Sequence, residues 1–248
     1  MSNTAFNAPI VHTRSNSYPY RQGFAMTPSA EQVYFFDDFS SVVTSNLPTG
    51  WAAAIIDTGA TVTQLSTDAY PGGILKIASD GTSEGAAIYL AKQIQLSAKP
   101  FFMECRVQTN TAAEVDLQFG LSALTATTNP EDLWTTTATD LIAMGLTAGS
   151  ADVGLLVDKN NSGTSVQAST TAIADATWTT LAFLVNGNET DASMSVRGYV
   201  NGNLALTWSG ASTTVPGDLV LAPFIGGRTG ATASNTVYVD YVRFGAIR

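Results

Sequence analysis

The side chains best suited to chemistry lie in the segment Glu114-Val115-Asp116-Leu117-Gln118. Successive side chains of a β-strand point to opposite faces, so the pattern predicts the three polar residues on one face and the two apolar ones in the core. Two neighbouring carboxyl groups are what glycoside hydrolysis uses, with one of them donating a proton to the leaving oxygen. The third polar position is an amide, which cannot donate that proton. The sequence therefore favours the plainer interpretation, the polar, solvent-facing side of a half-buried strand.

Other catalytic groups are scarce. The 248 residues include one Cys and one His, which excludes an internal disulfide, a Cys-rich zinc site and a multi-histidine metal site. The single histidine, His12, lies near the N-terminus, so nucleophilic serine catalysis has no candidate base within the rest of the chain. Cys105 alternates with apolar residues and is predicted to be a packed core thiol. These observations predict a protein that is not an enzyme and that binds no cofactor.

Calcium and anion sites have weak support in the sequence. Oxygen ligands of the kind that calcium prefers occur at Asp152, Asp158, Asn160 and Asn161. They lack a dense alternating spacing, so no metal site is predicted and the second half of this stretch is expected to be a hairpin turn. The segment Gly226–Gly230 is glycine-rich but lacks the Lys and the following helix of a phosphate loop. It is predicted to be a surface loop, with Arg228 as a candidate contact for an anionic partner.

The charge balance limits the partners. Acidic residues outnumber basic ones 20 to 11, which gives a formal net charge of -9, and only 12% of residues are charged. An acidic protein lacks the clustered cations that nucleic-acid phosphates require. The apolar runs fall far short of the roughly 20 residues that cross a bilayer, and the first residues lack the pattern of a secretory signal. No nucleic-acid or membrane partner is therefore predicted, and a cytoplasmic place of synthesis and assembly is expected.

The elements that must position these side chains are β-strands. From Val33 onward, short runs rich in Val, Ile, Thr and aromatic residues are bounded by Gly, Asn, Asp or Pro. Helical periodicity is not sustained in any window. The dipeptide Asn201-Gly202 lies between two such runs and is typical of a type I′ hairpin. Many short strands without helices predict an all-β protein, an antiparallel two-sheet sandwich or jelly roll over residues 33–248.

Several segments resemble the concanavalin A-like or laminin G-like sandwich family. They are the run that begins at Trp178 and leads to Asn201-Gly202, the ending Thr236–Phe244, and the opening Tyr34–Phe39 followed by Trp51. The resemblance implies a concanavalin-like jelly-roll topology. Some glycoside hydrolases with this sandwich carry Glu-x-Asp-x-Glu on a concave strand, with the first Glu as nucleophile and the last as acid/base. Gln118 stands at the last of these positions here.

Residues 1–32 differ from the rest of the chain. They contain three prolines and no apolar periodicity, which disfavours a helix or a central strand. They also contain more aromatic residues than disordered segments usually do. We predict an extended N-terminal arm that docks onto another surface, with a disordered terminus as the alternative. The predicted docking residues are Phe6, His12, Arg14, Tyr18, Tyr20, Arg21 and Phe24.

An acidic β-sandwich with such an arm resembles the capsid decoration (cement) or head-surface proteins of tailed bacteriophages. The resemblance implies a non-enzymatic virion protein that binds the shell of the major capsid protein, partly through the arm, and forms a homo-oligomer. The alternative is a carbohydrate-binding, lectin-like phage adhesion or receptor-binding module, in which Trp134 and Trp208 stack on sugar rings. A glycoside hydrolase centred on Glu114 and Asp116 is a third alternative, which Gln118 disfavours.

Overall fold

The computed structural model describes residues 32–39, 47, 50–55, 59–67, 70–81, 84–90, 94–96, 100–123, 140–159, 165–187, 193–211, 220–230 and 235–247. The strands in these ranges, numbered in chain order, are β1 (Gln32–Asp37), β2 (Trp51–Ile55), β3 (Thr61–Thr67), β4 (Tyr70–Ala78), β5 (Gly85–Leu90), β6 (Ile94–Gln95), β7 (Phe101–Thr109), β8 (Val115–Ser122), β9 (Asp140–Leu146), β10 (Asp152–Lys159), β11 (Ser165–Ala172), β12 (Thr179–Gly187), β13 (Ser193–Val200), β14 (Asn203–Ala211), β15 (Val220–Thr229) and β16 (Thr236–Ile247).

The strands form two antiparallel sheets. Sheet A has the order β14-β13-β12-β7-β16-β4-β3, with β1 also paired to β16. Sheet B has the order β11-β10-β9-β8-β15-β5-β2, with β6 also paired to β15. The predicted all-β, two-sheet sandwich is confirmed. In the described ranges, no helix is long and apolar enough to cross a membrane.

The core lies between the inner faces of the two sheets, as strand alternation requires. On β8, the buried inner side chains are those of Val115, Leu117, Phe119 and Leu121. The ring of Phe119 meets that of Phe183 on β12 of the other sheet, with the centroids 5.6 Å apart. Cys105 is buried in this core, where burial raises the pKa of its thiol well above the ordinary value. The prediction of a packed core thiol is confirmed.

The hairpin predicted at Asn201-Gly202 connects β13 to β14. Both residues have left-handed backbone angles, with φ of 49° and 82°, as a type I′ turn requires. The turn is tied to the neighbouring strand, because the Thr180 amide donates to Asn201 Oδ1 at 2.9 Å and the Asn201 amide donates to the Thr180 carbonyl at 2.7 Å.

The opening segment joins the two sheets at one side of the sandwich. Asp37, at the end of β1, accepts hydrogen bonds from Trp51 Nε1 and from the Phe39 amide, both at 2.8 Å. The second bond holds Phe39 at a φ of 53° with its ring fully buried. The Trp51 ring packs edge-on against Phe35, with the centroids 6.0 Å apart. Asp37 therefore links Phe39 and Trp51 into one structural motif, although Trp51 comes later in the sequence.

The predicted surface loop at Gly226–Gly230 is wrong, because β15 continues to Thr229 and lies between β8 and β5. Gly227 faces sheet A and allows close packing between the sheets, and it does not form a turn. A Cβ atom on Gly227 would lie 2.8 Å from Val237 Cγ2 of sheet A. Arg228 is therefore held on a central strand and not in a loop.

Candidate functional site

Asp116 and Gln118, which the sequence favoured as the polar, solvent-facing side of a half-buried strand, lie on the outer face of sheet B near its centre. The predicted solvent exposure is wrong for Gln118, which is buried. Asp116 and Gln118 of β8 point away from the core, whereas the alternate residues of that strand point into it. Asp116 is directly opposite Arg228 of β15. Gln118 is opposite Gly226 on one side and Gly145 of β9 on the other.

Glu114 does not belong to the strand. It ends a short 3-10 helix, Ala112–Glu114, which immediately precedes β8. The turn is fixed from two sides, because the Gly230 amide donates to the Glu114 carbonyl at 2.8 Å and the Ala112 amide donates to Asp175 Oδ1 at 2.6 Å. Strand alternation therefore does not apply to Glu114, and the prediction that it shares a strand face with Asp116 and Gln118 is wrong.

A row of small residues crosses sheet B at the level of Gln118. The register places side by side, from β2 to β11, Ala54, Ala87, Gly226, Gln118, Gly145, Gly154 and Ala168. At Gly145 a Cβ atom would lie 1.7 Å from the Leu117 carbonyl oxygen, so this backbone admits only glycine there. Gln118 is the one long side chain in the row. It is only 3% exposed, and no hydrogen-bond donor contacts its Oε1 atom.

The two flanks of this row differ in polarity. On one side, Asp116 and Arg228 are both partly exposed. On the other side lies a buried apolar cluster that includes Tyr89, Phe224 and Ala143, with the two ring centroids 6.1 Å apart. Only the charged flank is therefore open to a ligand in the described conformation, and the apolar flank lies beneath the surface.

Asp116 has an unusual electrostatic environment. The Ala148 amide, in the turn between β9 and β10, donates to Asp116 Oδ1 at 2.7 Å. Burial raises the pKa of Asp116 above its ordinary value, and this hydrogen bond and the charge of Arg228 oppose the rise. The carboxyl group therefore keeps its proton to a higher pH than a fully solvated aspartate does.

An exposed carboxyl pair lies at the same end of sheet B. Asp80 follows β4 and Glu84 precedes β5, and the pKa of Glu84 is raised chiefly by its side-chain hydrogen bond with Asp80. Oxygens of both carboxyl groups lie within 2.3 Å of the position that a Cβ atom on Gly59 would take. The Thr229 amide donates to the Glu84 carbonyl at 2.9 Å, which places the pair beside the end of β15.

The calcium ligands considered from the sequence are not brought together. Asp152 and Asp158 lie at opposite ends of β10, about 20 Å apart at the rise of a β-strand. Asn160 and Asn161 lie outside the described residues. Across the described part of the chain, no three His, Cys, Asp or Glu side chains are arranged so that they could hold a metal ion.

The aromatic candidates have different positions. Trp134 and the seven predicted arm residues lie outside the described residues. Trp208 on β14 is partly buried and packs against the core, so one side of its ring is covered. Trp178 has the Arg106 guanidinium 5.0 Å above its ring, and that guanidinium also pairs with Asp240 at 2.7 Å. The glycan-stacking role of Trp134 and Trp208 stays a prediction.

Two features were missed in the sequence. Arg228 was assigned to a loop, although the apolar run Leu221–Ile225 before it is the signal of a buried strand. The segment Gly81–Gly85 also has the spacing Gly-x-Ser-x-Gly of a serine nucleophile elbow. A nucleophile elbow of that kind requires a strand, a sharp turn and then a helix. Here the segment leads into strand β5, so the pattern lacks its structural context.

Solved structures with the same fold are numerous and distant in sequence. Arcelin-5, a lectin-like defence protein from Phaseolus vulgaris, is 12% identical, with a TM-score of 0.56 over 88% of this chain and 100% of that chain. An endo-1,3-β-glucanase from Streptomyces sioyaensis is 14% identical, with a TM-score of 0.57 over 89% and 98%. An endo-β-1,4-glucuronan lyase from Trichoderma reesei is 12% identical, with a TM-score of 0.57 over 85% and 94%. No protein-family profile and no curated protein matches the chain.

These structural neighbours contradict one prediction made from the sequence and confirm another at the level of fold. The prediction that the chain is not an enzyme is contradicted, because glucanases, a lyase and a transglycosylase have this fold. The prediction relied on the scarcity of His and Cys, but carboxyl groups alone suffice for glycoside hydrolysis. The concanavalin A-like resemblance is confirmed at the level of fold. The chain is a concanavalin A-like β-sandwich, the architecture shared by these lectins and glucanases.

Proposed function

We propose that this chain is a carbohydrate-binding protein whose ligand contacts the outer face of sheet B at Asp116 and Arg228. The observation that carries the proposal is the pairing of these two partly exposed, oppositely charged side chains beside a row of Gly and Ala residues. The carboxylate accepts hydrogen bonds from sugar hydroxyls and the guanidinium donates them. In the row itself, Ala54, Ala87, Gly145 and Gly226 are buried, so a sugar reaches this face from the side of Asp116 and Arg228.

The buried Gln118 adds to this proposal. Its Oε1 atom is an acceptor without a donor, and such a group is costly to leave unsatisfied inside a protein. A ligand hydroxyl or a water molecule held beneath the ligand would satisfy it. Because the side chain is almost fully buried, the first contact of a ligand is with Asp116 and Arg228.

The choice of probe follows from the neighbours of the same fold. One of them, LamA from Zobellia galactanivorans, was solved with laminaritriose and laminaritetraose, and another is named an endo-1,3-β-glucanase. Laminaritetraose is therefore the first probe for this chain, followed by a glycan array that covers unrelated sugars.

Replacing Arg228 by glutamine is expected to weaken binding of laminaritetraose, or of a sugar found on the array, by about tenfold to a hundredfold. The reason is the loss of charged hydrogen bonds worth about 1.5–3 kcal/mol. Isothermal titration calorimetry measures the effect. Arg197→Gln is the matched control, because Arg197 is an exposed arginine on sheet A. The proposal fails if the wild-type chain binds no sugar, or if both variants bind as tightly as the wild type.

A second candidate function, cleavage of the bound glycan, has one observation in its favour. The pKa of Asp116 is raised by burial, which is what a proton donor at neutral pH requires. Gln118 cannot share in proton transfer, so Asp116 is the group to test. If the chain cleaves a glucan, Asp116→Asn is expected to abolish release of reducing ends, with Asp240→Asn as the control, because Asp240 is a partly exposed aspartate on sheet A. Turnover that survives in Asp116→Asn would remove Asp116 from this role.

A place on a bacteriophage virion is a further proposal, compatible with sugar binding in an adhesion module. It includes attachment to a capsid shell through the arm, homo-oligomer formation and assembly in the host cytoplasm. Its support is the aromatic and proline content of residues 1–32 in an otherwise acidic chain. Mass spectrometry of purified phage particles tests this proposal, and absence of the chain from the particles would contradict it.

A further inference from the structure

Aromatic rings and cations lie side by side along β16 on the outer face of sheet A. The β16 residues Val237, Val239 and Val242 point into the core, so the residues between them face outward. Three ring–cation pairs across neighbouring strands form a surface that we call the β16 band: Tyr238 with Lys76 of β4, Tyr241 with Arg106 of β7, and Phe36 of β1 with Arg243. Outward positions of a strand recur about every 7 Å, so the pairs follow one another at a regular spacing.

Most of the β16 band is accessible to a ligand. Phe36 is half exposed, and Tyr238, Tyr241, Arg106 and Lys76 are partly exposed. The rings of Phe36 and Tyr241 have their centroids 6.0 Å apart and their planes at 33°. Two adjacent rings of this kind form an apolar surface on which the carbon–hydrogen face of a sugar ring can pack.

Side chains of the β16 band are fixed by contacts within the protein. The Tyr241 hydroxyl donates to the buried carboxylate of Glu104 at 2.7 Å, and Arg243 pairs with the same carboxylate. The Arg106 guanidinium is held by Asp240 at 2.7 Å. Because these side chains are already oriented, a ligand that binds them loses little affinity to their ordering.

The charge of this face is opposite in sign to that of the whole chain. The charged residues on the described strands of sheet A are four cations, Lys76, Arg106, Arg197 and Arg243, and three anions, Asp37, Glu104 and Asp240. Asp37 turns toward Trp51 of the other sheet, so four cations and two anions remain on the outer face. The whole chain has a formal net charge of -9. A local excess of cations in an acidic protein favours an anionic ligand on this face.

We propose that the β16 band binds an anionic polysaccharide made of uronic acid residues. Each residue of such a polymer has a sugar ring, whose apolar face packs on an aromatic side chain, and one carboxylate, which accepts hydrogen bonds from Arg or Lys. A row of ring–cation pairs matches that repeat, whereas a small anion requires cations that converge on one point. The surface is on the opposite sheet from Asp116 and Arg228, so the proposal does not depend on the sugar site proposed there.

A nucleic acid fits this surface less well than a polyuronate does. Its strands carry one phosphate charge about every 3.4 Å, which is a denser row of charge than the cations of the β16 band can match. Two of those cations, Arg106 and Arg243, are already paired with carboxylates. One carboxylate per sugar ring agrees better with one cation per aromatic ring.

Isothermal titration calorimetry of the full-length chain tests the proposal with three probes, the tetramers of galacturonate, glucuronate and mannuronate. At least one is expected to bind. Its methyl ester, which keeps the rings and removes the charge, is expected to bind about fivefold more weakly or worse, because charged hydrogen bonds are the stronger ones. Affinity for the charged tetramer is expected to fall between about 0.1 M and 1 M salt, since the Debye length shrinks from about 10 Å to 3 Å.

Matched variants locate the binding surface. Phe36→Ala is expected to weaken binding about fivefold through the loss of ring packing, and Lys76→Gln about threefold through the loss of an exposed charge. The controls are Ile55→Ala, a half-exposed apolar residue on β2, and Lys159→Gln, a partly exposed lysine on β10, both on sheet B. Both controls are expected to bind as the wild type does. If Phe36→Ala does not fold, Phe36→Leu replaces it, because leucine keeps an apolar side chain but has no ring.

Four results would overturn the proposal: no binding of any of the three tetramers at low salt, equal binding of the methyl ester, equal effects of the test and control variants, or tighter binding of a single-stranded oligonucleotide than of any tetramer. The result with laminaritetraose is separate. A chain that binds laminaritetraose but no polyuronate would retain the site on sheet B and lose this one, and the opposite result would retain only the β16 band.

Discussion

Replacing Glu104 by alanine is expected to lower the free energy of unfolding by about 3–5 kcal/mol. Glu104 lies on β7 on the outer face of sheet A, and yet it is fully buried. Its Oε1 atom lies 2.5 Å from Arg243 Nη2 of β16 and accepts a hydrogen bond from the Tyr241 hydroxyl at 2.7 Å. The alanine variant removes the carboxylate that offsets the charge of Arg243, which is itself 8% exposed. A buried charge that has lost its partner destabilises the folded state more than removal of the whole ion pair does.

Urea unfolding of matched variants measures this effect. Asp240→Ala is the control, because it removes the Arg106–Asp240 pair, whose side chains are 42% and 31% exposed. An exposed pair contributes at most about 1 kcal/mol, so the control variant is expected to unfold close to the wild type. Equal destabilisation by both variants would show that burial does not determine how much each ion pair contributes to the free energy of unfolding.

The pKa of Tyr241 provides a second test of the contacts that join Glu104, Arg243 and Tyr241. Burial raises the pKa of Tyr241, and the charge of Glu104 and its hydrogen bond raise it further. In Glu104→Gln, the amide oxygen still accepts from the hydroxyl, but the negative charge is gone. The tyrosine is therefore expected to ionise at a lower pH in that variant, as ultraviolet absorbance would record.

The sequence predicted the elements whose signals are local. Alternation predicted β8, and the structure has it at Val115–Ser122. Asn201-Gly202 predicted the turn between β13 and β14, because positive φ angles depend on those two residue types. Cys105 was placed in the core from its apolar alternation. Each of these depends on residues within a few positions of each other.

Features that depend on distant partners were not predicted. β15 does not alternate in polarity, because both of its faces are buried, and its glycines were interpreted as a loop. The position of Glu114 depends on Asp175 and Gly230, which are far away in sequence. The Asp116–Arg228 pair exists only through the register of β8 with β15. A single sequence contains no local signal for such pairings.

The prediction that the chain is not an enzyme was wrong for a different reason. The small number of His and Cys residues was taken to exclude catalysis, but the solved structures of the same fold include several enzymes. The relevant groups on such a sandwich are carboxyl groups, and these require only suitable burial and spacing. Asp116 has a raised pKa because of where the fold places it, which an inventory of residue types cannot reveal.

Replacing Phe119 by alanine is expected to lower the free energy of unfolding by about 3–5 kcal/mol, since it leaves a large cavity between the sheets. Phe119 is fully buried on β8 and meets Phe183 of sheet A. Phe36→Ala is the control, because Phe36 is 50% exposed on β1, and most surface substitutions change stability by about 0.5 kcal/mol or less.

The same variant tests how the core and the candidate site depend on each other. Phe119 follows Gln118 directly, so its side chain lies on the inner face of the strand that carries the site on its outer face. One outcome is that the backbone of β8 stays in place even without the Phe119 ring. In that case Phe119→Ala is less stable than the wild type, but under conditions where it stays folded its sugar affinity is within about threefold of the wild type. A large loss of affinity in the folded variant would mean that core packing positions Asp116 opposite Arg228. A loss of stability no greater than that of Phe36→Ala would contradict the packing of the two sheets through this ring.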